Sequence, residues 1–387
     1  MKVLFITSWY PREENPVSGI FIREHAKAVS LIDQVAVLYG YQSDKVKKLY
    51  EVGVENEENI RVFRVRYKKL PRLMSNLLYF YSMFRTFQKI KRLFKPDIIH
   101  AHVYVSGFLG IILGKVYNIP VIITDHTLLV EEAKTTTEKI KNIVKVLIAR
   151  FTLNSANLLL PVSKYLCAHI KSLGIQKNCD RTLPNIVDTK IFYPVPNENI
   201  REDKTKRILF VGRLHPIKGI DYLLDALAKL LKSRSDFHLD IIGYGAYEEE
   251  YKRLTNCLGL SDKVKFHGRK RKEEIAEFMR NCDFFVLPSV WEAFGVVVIE
   301  AMACGKPVIA TSCGQREIIN EETGLLVPPK DSKALAEAID YMLDHYRDYS
   351  PEKISRYVSK RFRPEVVGRW LHETYLEVIR KKHEGTC

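Results

Sequence analysis

Short apolar segments alternate with amphipathic ones along nearly the whole chain, and this alternation limits the fold more than any other feature. The predicted strands of the first half are Lys2–Thr7, Gln34–Tyr39, Ile60–Val65, Asp97–His102, Val121–Asp125 and Leu158–Pro161. Those of the second half are Arg207–Gly212, Leu239–Gly243, Val264–His267, Asp283–Leu287, Val308–Thr311 and Leu325–Val327. Helices between successive strands are typical of parallel sheets. The sequence therefore predicts an α/β protein with two doubly wound parallel sheets.

The two halves of the chain begin alike. Residues 3–29 contain a strand, a polar loop with proline, a glycine (Gly19) and a helix, and residues 208–230 repeat this order. Between the halves, residues 194–206 are polar, contain two prolines and lack apolar periodicity, which predicts a linker. We therefore expect Rossmann-like domains over residues 1–193 and 207–363. Residues 364–387 contain a last helix with apolar anchors such as Trp370 and Tyr375.

Composition excludes several classes of protein. With 46% hydrophobic and 28% charged residues, the chain of 387 residues has the profile of a folded protein and the length for two domains. It has no apolar stretch long enough to span a bilayer, and its opening MKVLFITSWYP lacks a signal-peptide pattern. The seven cysteines form no CxxC pair or Cys/His cluster, so neither a disulfide framework nor a zinc site is expected. A cytoplasmic location follows.

The net charge of +15 is unevenly distributed. Residues 61–95 contain eleven Lys and Arg, no Asp or Glu, and many aromatic residues. On a predicted helix over residues 75–95, Leu77, Phe80, Phe84 and Phe87 share one side, and Arg85, Lys89 and Arg92 form a stripe on another. Such a helix is typical of a membrane-surface patch. An RNA-binding surface, or a helix that covers a sheet and presents a solvated basic face, would give the same pattern.

The segment 288–311, PSVWEAFGVVVIEAMACGKPVIAT, has two carboxylates separated by an apolar run. Glu292 lies on the loop after a predicted buried strand, where open α/β sheets bind ligands. Glu300 lies on an otherwise apolar helix, where a lone carboxylate is costly to bury. The N-terminus of that helix would point free N–H groups at an anion. The arrangement suits a nucleotide-sugar, and the alternative is a salt-bridged core glutamate beside a surface glutamate.

Two cations lie at the corresponding turn earlier in the second half. In Gly212-Arg213-Leu-His-Pro-Ile-Lys218-Gly219, Arg213 and Lys218 would clamp a diphosphate between a strand and a helix. The motif is neither GxGxxG nor a Walker A loop, which disfavours dinucleotide dehydrogenases and P-loop nucleotidases. The alternative is a pair of surface cations.

Histidines follow two strands of the first half. His126 comes directly after Val121–Asp125 and beside an aspartate, a position that by itself would suggest a general base or a structural histidine. His100 and His102 point to one face of their strand, but no third ligand has useful spacing, so no metal site is expected.

Together, Glu-x7-Glu within its flanking sequence and GRxxxxKG resemble the donor-binding signature of the retaining glycosyltransferases of family 4. The resemblance covers nearly the whole chain and is strongest over residues 207–328. It implies the GT-B fold, in which two Rossmann-like domains face each other across a cleft and the last helix crosses back to the N-terminal domain. The first domain would bind the acceptor, and the second would bind the donor.

The resemblance also implies roles for single residues. Arg213 and Lys218 would neutralise the leaving diphosphate, Glu300 would hold the ribose, and Glu292 would hold hydroxyls of the sugar. His126 would contact and orient the transferred sugar near the reacting carbon. Further donor contacts would come from Gly19, Arg269, Phe294, Gly295 and Val296. Many relatives have paired glycines where this chain has Val17-Ser18-Gly19.

The expected function is that of a metal-independent hexosyltransferase. It would move a sugar from a UDP- or GDP-sugar to a saccharide or lipid-linked acceptor in surface polysaccharide or glycolipid synthesis, at the inner face of the plasma membrane and without nucleic acid. The opening motifs TSWYP, SGIF and REHAKA resemble enzymes that build bacterial or archaeal surface polysaccharides. Alternatives are a nucleotide-sugar 2-epimerase of the same fold, or a non-catalytic basic protein that binds membranes or RNA.

Overall fold

The computed structural model describes residues 1–126, 136–195 and 205–385. Its strands are β1 Lys2–Thr7, β2 Gln34–Gln42, β3 Tyr50–Glu57, β4 Ile60–Tyr67, β5 Ile98–His102, β6 Val121–Asp125, β7 Leu158–Pro161, β8 Lys206–Val211, β9 Phe237–Ile242, β10 Val264–Phe266, β11 Phe284–Leu287, β12 Val308–Thr311 and β13 Gly324–Val327. Its helices are α1 Ile20–Ser30, α2 Arg72–Leu93, α3 Val103–Tyr117, α4 Thr136–Asn154, α5 Lys164–Ser172, α6 Ile220–Leu230, α7 Glu248–Cys257, α8 Lys272–Asn281, α9 Val296–Ala303, α10 Ser332–His345, α11 Pro351–Phe362 and α12 Pro364–His383.

The chain divides into two compact units. The first is Met1–Ile186 with Pro364–Cys387, and the second is Val187–Arg363. The boundary therefore precedes the predicted linker at 194–206, of which residues 196–204 lie outside the described residues. The reason is local packing, since the Val187 N–H donates to the carbonyl of Phe362 at 3.0 Å and the Arg280 guanidinium stacks on Tyr193.

In the first unit, seven described strands form one sheet in the order β3-β4-β2-β1-β5-β6-β7. The pairs from β4 to β7 are parallel, as the alternation predicts, and the strand order reverses between β1 and β5. In the second unit, the six described strands are all parallel, in the order β10-β9-β8-β11-β12-β13, and the order reverses between β8 and β11. Ligands of open α/β sheets bind at such reversals.

Strand β3 was not predicted, and it pairs antiparallel with β4 at the edge of the first sheet. Its glutamates neutralise part of the acid-free segment 61–95. Arg64 contacts Glu55 at 2.6 Å and Glu57 at 2.7 Å, and Arg66 contacts Glu51 at 3.3 Å. Charged cross-strand pairs thus stabilise a strand that has little apolar pattern of its own.

The last helix belongs to the first unit, as expected. Gly368 on α12 packs directly on the backbone of Ala28 on α1, where a larger side chain would collide. On the same helix His372 contacts the buried Asp33 at 2.9 Å, and the Tyr375 hydroxyl bonds to His100 at 2.7 Å. These contacts anchor α12 to the sheet.

One expectation about cysteine was wrong. Cys167 on α5 and Cys179 in the following loop form a disulfide, with Cα atoms 5.7 Å apart. The two cysteines are 12 residues apart and match no sequence motif. They meet because the loop after α5 folds back beside the helix, which the sequence pattern alone does not show. Among the described helices, none is both long and apolar enough to cross a membrane.

Candidate functional site

In the second unit, two predicted loops meet where the strand order reverses. Gly219 precedes α6 with φ +68°, and a side chain there would collide with the carbonyl oxygen of Pro288 at the end of β11. The Val290 N–H donates to the carbonyl of Ile217 at 2.9 Å, and His215 accepts from the N–H of Ile217. The loops after β8 and β11 therefore form one surface.

Lys218 and Glu292, predicted to bind different parts of a donor, form an ion pair with each other on this surface. Their side chains are 23% and 14% exposed. Glu292 also accepts from the backbone N–H of Ala293 at 3.2 Å. A cation and a carboxylate are thus held side by side at the carboxyl end of the sheet, within reach of a ligand.

The helix that follows Glu292 and contains Glu300 has the predicted form. Gly295, with φ +77°, is the N-cap of α9, and Val296 is its first residue. Glu300 lies on α9 and is 8% exposed, which agrees with the predicted burial. Phe294 is buried edge-on against Phe362, so only its backbone is suited to a ligand. The α9 N-terminus adds a partial positive charge beside Glu292.

The two predicted arginines lie on adjoining loops. Arg213 is exposed, and the N–H of the next residue, Leu214, donates to the carbonyl of Tyr244 at 3.0 Å. The Arg269 guanidinium stacks on the Tyr244 ring, 5.2 Å from its centre. Tyr244 thus connects the cation loop to the loop predicted to approach a nucleobase, and motif analysis gave it no role.

Residues at the end of β12 also reach this surface and were missed. Gln315 is fully buried, and its amide, oriented to satisfy both ends, donates to the carbonyl of Thr311. The Thr311 hydroxyl in turn donates to the carbonyl of Ser289 at 2.7 Å. Arg316 lines a neighbouring cavity of about 490 Å³ with residues of β13. The segment CGQRE after a strand was the available signal.

The first unit has a second cluster, made of histidines where its strand order reverses. His126 follows β6, and its Nε2 lies 3.0 Å from Nδ1 of His102 at the end of β5. The His102 ring stacks on both Phe5 and His100, with ring centroids 5.1 and 4.5 Å apart. His25 from α1 lies within 6.1 Å of both His102 and His126. The segments HAH and REHAKA contained these partners of His126.

Burial keeps the histidines neutral. It lowers the pKa of His25 to about 4, against an opposing hydrogen bond to the carbonyl of Pro184, and that of His100 to about 3. Burial, and then the neighbouring histidines, lower the pKa values of His102 and His126 well below 6.5. At neutral pH, His126 is therefore suited to donate or accept a hydrogen bond and poorly suited to carry charge.

Gly19 is required by packing. It is buried at the start of α1 with φ +64°, and a side chain would lie 2.5 Å from the carbonyl of Trp9.

His100 bonds to Tyr375 and Thr124 at 2.7 and 2.8 Å. Among the described residues, no group of three or more His, Cys, Asp or Glu is placed to hold a metal ion.

The basic stripe lies on the outer face of α2. Arg85, Lys89 and Arg92 are exposed and make no ion pair within the described ranges. The N-terminal half of the same helix also exposes Leu73, Met74, Leu77 and Tyr81. Leu77, predicted on the apolar side, is 64% exposed, because the sheet-facing side consists of Leu78, Tyr79, Met83, Phe87 and Ile90.

Comparison with known proteins identifies the family. The model for glycosyl transferases group 1 matches residues 195–361, and that for glycosyltransferase family 4 matches residues 33–191. An uncharacterized glycosyltransferase of Methanocaldococcus jannaschii is 30% identical over 344 residues, which cover 88% of this chain and 87% of that protein. The chain is a family 4 glycosyltransferase.

Other glycosyltransferases extend the comparison. A D-inositol 3-phosphate glycosyltransferase of Pseudarthrobacter chlorophenolicus is 30% identical over 299 residues, covering 72% of this chain and 70% of that one. Sucrose-phosphate synthase from Thermosynechococcus elongatus has a TM-score of 0.80 at 24% identity, covering 98% of this glycosyltransferase and all of that chain. Anabaena HepE in complex with UDP-glucose has a TM-score of 0.71 at 22% identity, with 97% and 100% covered. These similarities show the GT-B fold.

Proposed function

We propose that this glycosyltransferase moves a hexose, with retention of configuration, from a UDP- or GDP-sugar to a saccharide or lipid-linked acceptor in cell-surface polysaccharide or glycolipid synthesis. The observation that carries the proposal is the single surface formed by Lys218, Glu292 and the α9 N-terminus where the second sheet reverses its strand order. The complexes of Anabaena HepE with UDP and UDP-glucose support a donor of this class.

The charges on this surface suit a sugar nucleotide. Arg213, Lys218 and the N–H groups from Gly295 and Val296 would neutralise the departing diphosphate, so we propose that no metal ion is needed. Glu300, buried on α9, would accept hydrogen bonds from the ribose hydroxyls. Glu292 would share Lys218 with the diphosphate while binding hydroxyls of the sugar.

Retention fits a transfer in which the leaving phosphate takes the proton of the attacking acceptor. The new bond forms on the face that the diphosphate leaves, and no protein nucleophile is needed. In this scheme His126 orients the transferred sugar by a hydrogen bond. Its lowered pKa supports this role over that of a proton carrier at neutral pH.

A thermal-shift screen against UDP, GDP, ADP and their common sugar conjugates tests donor binding. A ligand that binds the folded state stabilises it by roughly 2.7 kcal/mol at a hundred times its Kd. We expect one UDP or GDP conjugate to give the largest shift. Chromatography of products with and without acceptor then separates transfer from 2-epimerisation, and transfer should persist in excess EDTA. Activity lost in EDTA and restored by Mg²⁺ would contradict the metal-free scheme.

We also propose that the outer face of α2 docks the enzyme on the inner face of the plasma membrane. Arg85 and Arg92 line a cavity of about 710 Å³ that is also lined by Lys91 and Lys95, and the described residues of its wall include no acidic side chain. The exposed apolar residues one to three turns earlier on α2 would enter the lipid interface. The pairing of Arg64 and Arg66 with β3 removes those two from the patch.

Vesicle flotation tests this docking. Each basic residue near an anionic surface contributes about 1 kcal/mol. Changing Arg85, Lys89 and Arg92 together to Gln should therefore release the protein from vesicles of phosphatidylglycerol and phosphatidylcholine, while activity on a soluble acceptor is retained. The matched control changes three exposed lysines of the second unit to Gln: Lys232, Lys265 and Lys330. Equal binding by both variants would refute the patch.

A further inference from the structure

The hydrogen bond between His102 and His126 has a polarity that determines what His126 offers to a ligand. It joins Nδ1 of His102 to Nε2 of His126 at 3.0 Å. Both rings are at least nine-tenths buried. The opposite nitrogens, Nε2 of His102 and Nδ1 of His126, have no hydrogen-bond partner within the described residues. Because both rings are neutral, each carries one proton, and only one of them can occupy this hydrogen bond.

Two arrangements of these protons are possible. If His126 donated from Nε2, the proton of His102 would lie on its Nε2, as an N–H without a partner within the described residues on a ring that is 0% exposed, whereas His126 is 8% exposed. If His102 donates from Nδ1, its Nε2 is a bare lone pair in the stack beside Phe5, and the proton of His126 lies on Nδ1. The second arrangement puts the unpaired N–H on the ring that the donor-sugar scheme places against a ligand.

The backbone next to His102 is strained. Strand β5 ends at His102 and α3 begins at once with Val103, a buried valine whose φ is +68°. A β-branched residue in this region is a true outlier, which persists only where the surrounding structure holds it in place. The strain accompanies a turn that stops the strand where the His102 ring meets His126. Such strain is typical of functional sites.

We infer that His102 is a positioning residue: its Nδ1–H bonds to His126 Nε2, fixes the His126 tautomer, and leaves Nδ1–H of His126 as a donor for a hydroxyl oxygen of the transferred sugar. The ligand part of this inference rests on the proposed function. The choice of tautomer uses the same scheme, because either arrangement leaves one ring N–H without a partner within the described residues, but the tautomer is a property of the unliganded protein and is measured without substrate. Among the described residues, the other titratable groups in contact with the pair are His25, His100 and Asp125.

Nitrogen NMR tests the tautomer directly. In protein labelled with ¹⁵N-histidine, the ¹⁵N shifts and couplings distinguish a protonated ring nitrogen from a bare one. We expect both His102 and His126 to be protonated at Nδ1 near pH 7. A His126 signal with its proton at Nε2 would overturn the inference, whether or not the protein transfers sugar.

Two variants of His102 then test its consequence. His102→Phe keeps a ring against Phe5 and removes the donor, so His126 should become protonated at Nε2. The kcat of transfer should fall about tenfold while the donor KM changes less than twofold, since the hydrogen bond that fixes the His126 tautomer is lost; tenfold corresponds to about 1.4 kcal/mol of transition-state stabilisation. His102→Asn should restore most of the kcat, because its amide N–H can replace Nδ1–H.

The matched control is Tyr375→Phe. It breaks a hydrogen bond to His100 in the same stack without touching His126, so both the His126 tautomer and kcat should stay as in the parent. If His102→Phe kept both the tautomer and kcat of the parent, the positioning role would be refuted. The role would also fail if Tyr375→Phe lowered kcat as much as His102→Phe. A protein without any transfer activity but with the expected spectra would refute the proposed function and leave the tautomer assignment standing.

Discussion

The ion pair between Lys218 and Glu292 leads to a prediction that runs against intuition: removing Glu292 should tighten the binding of the bare nucleoside diphosphate. In the unliganded protein, the Glu292 carboxylate is paired with the Lys218 ammonium, the group that is proposed to bind the diphosphate. A ligand phosphate must therefore compete with this carboxylate. Glu292→Gln removes the competitor and keeps the shape of the side chain.

The expected size follows from the exposure of the pair. Two unit charges at about 4 Å attract by about 4 kcal/mol at an effective dielectric constant of 20, before desolvation. With side chains 23% and 14% exposed, solvent reduces this, and we expect a net coupling of about 1–2 kcal/mol. UDP, or whichever diphosphate gives the largest thermal shift, should then bind about tenfold more tightly. The intact sugar nucleotide should gain less, because its sugar loses the Glu292 contact.

Isothermal titration calorimetry at low and high salt measures both affinities. The gain for the diphosphate should shrink as salt screens the charges. Glu249→Gln is the control, since it removes an equal charge from an ion pair with Lys252 on the surface of α7 in the same unit and should leave both affinities unchanged. Glu300→Gln should weaken the binding of the nucleoside diphosphate, because Glu300 is proposed to hold the ribose. Unchanged or weaker diphosphate binding by folded Glu292→Gln would refute the competition.

Two further predictions concern stability. The pKa values of His25 and His100 are about 4 and about 3 in the folded protein, below the 6.5 of the unfolded chain, so stability is fully present above pH 6.5 and is lost as pH falls toward those values. Urea denaturation should show that the free energy of unfolding falls by about 3 kcal/mol from pH 7 to 4 through His25 alone. A free energy of unfolding that stays constant over this range would contradict the prediction. Gly219→Ala should lower the free energy of unfolding of the second unit by roughly 2 kcal/mol or more, and it should weaken donor binding. The reason is that its φ lies in the left-handed region and that the added Cβ would collide with the carbonyl oxygen of Pro288. Gly259→Ala has a similar φ of +70°, and no atom of the described residues lies within 4 Å of the added Cβ, so its smaller loss of stability isolates the backbone strain. Equal losses would show that the collision at Gly219 is harmless.

The amino-acid sequence by itself determined the class of fold and the places where ligands gather. Parallel strands buried on both faces must be continuously apolar, so twelve strands stand out from local composition. Turn chemistry placed Lys218, Glu292 and His126 just after strands, and each lies there in the structure. Strand β3 was not predicted, because an exposed edge strand needs no apolar pattern. Its pairing with β4, the arginines on β4 and Arg23 on α1, which contacts Glu57, stabilise it instead.

Tertiary structure alone decided which of these residues touch. Lys218 and Glu292 are 74 positions apart, and two separate roles were predicted for what is one ion pair. His102 and His126, 24 positions apart, become one hydrogen-bonded unit because β5 and β6 are neighbours. His100 meets Tyr375 across 275 positions because α12 returns to the first sheet. Local patterns specify periodicity and turns. Pairing between side chains depends on strand order and helix packing, which are properties of the whole chain.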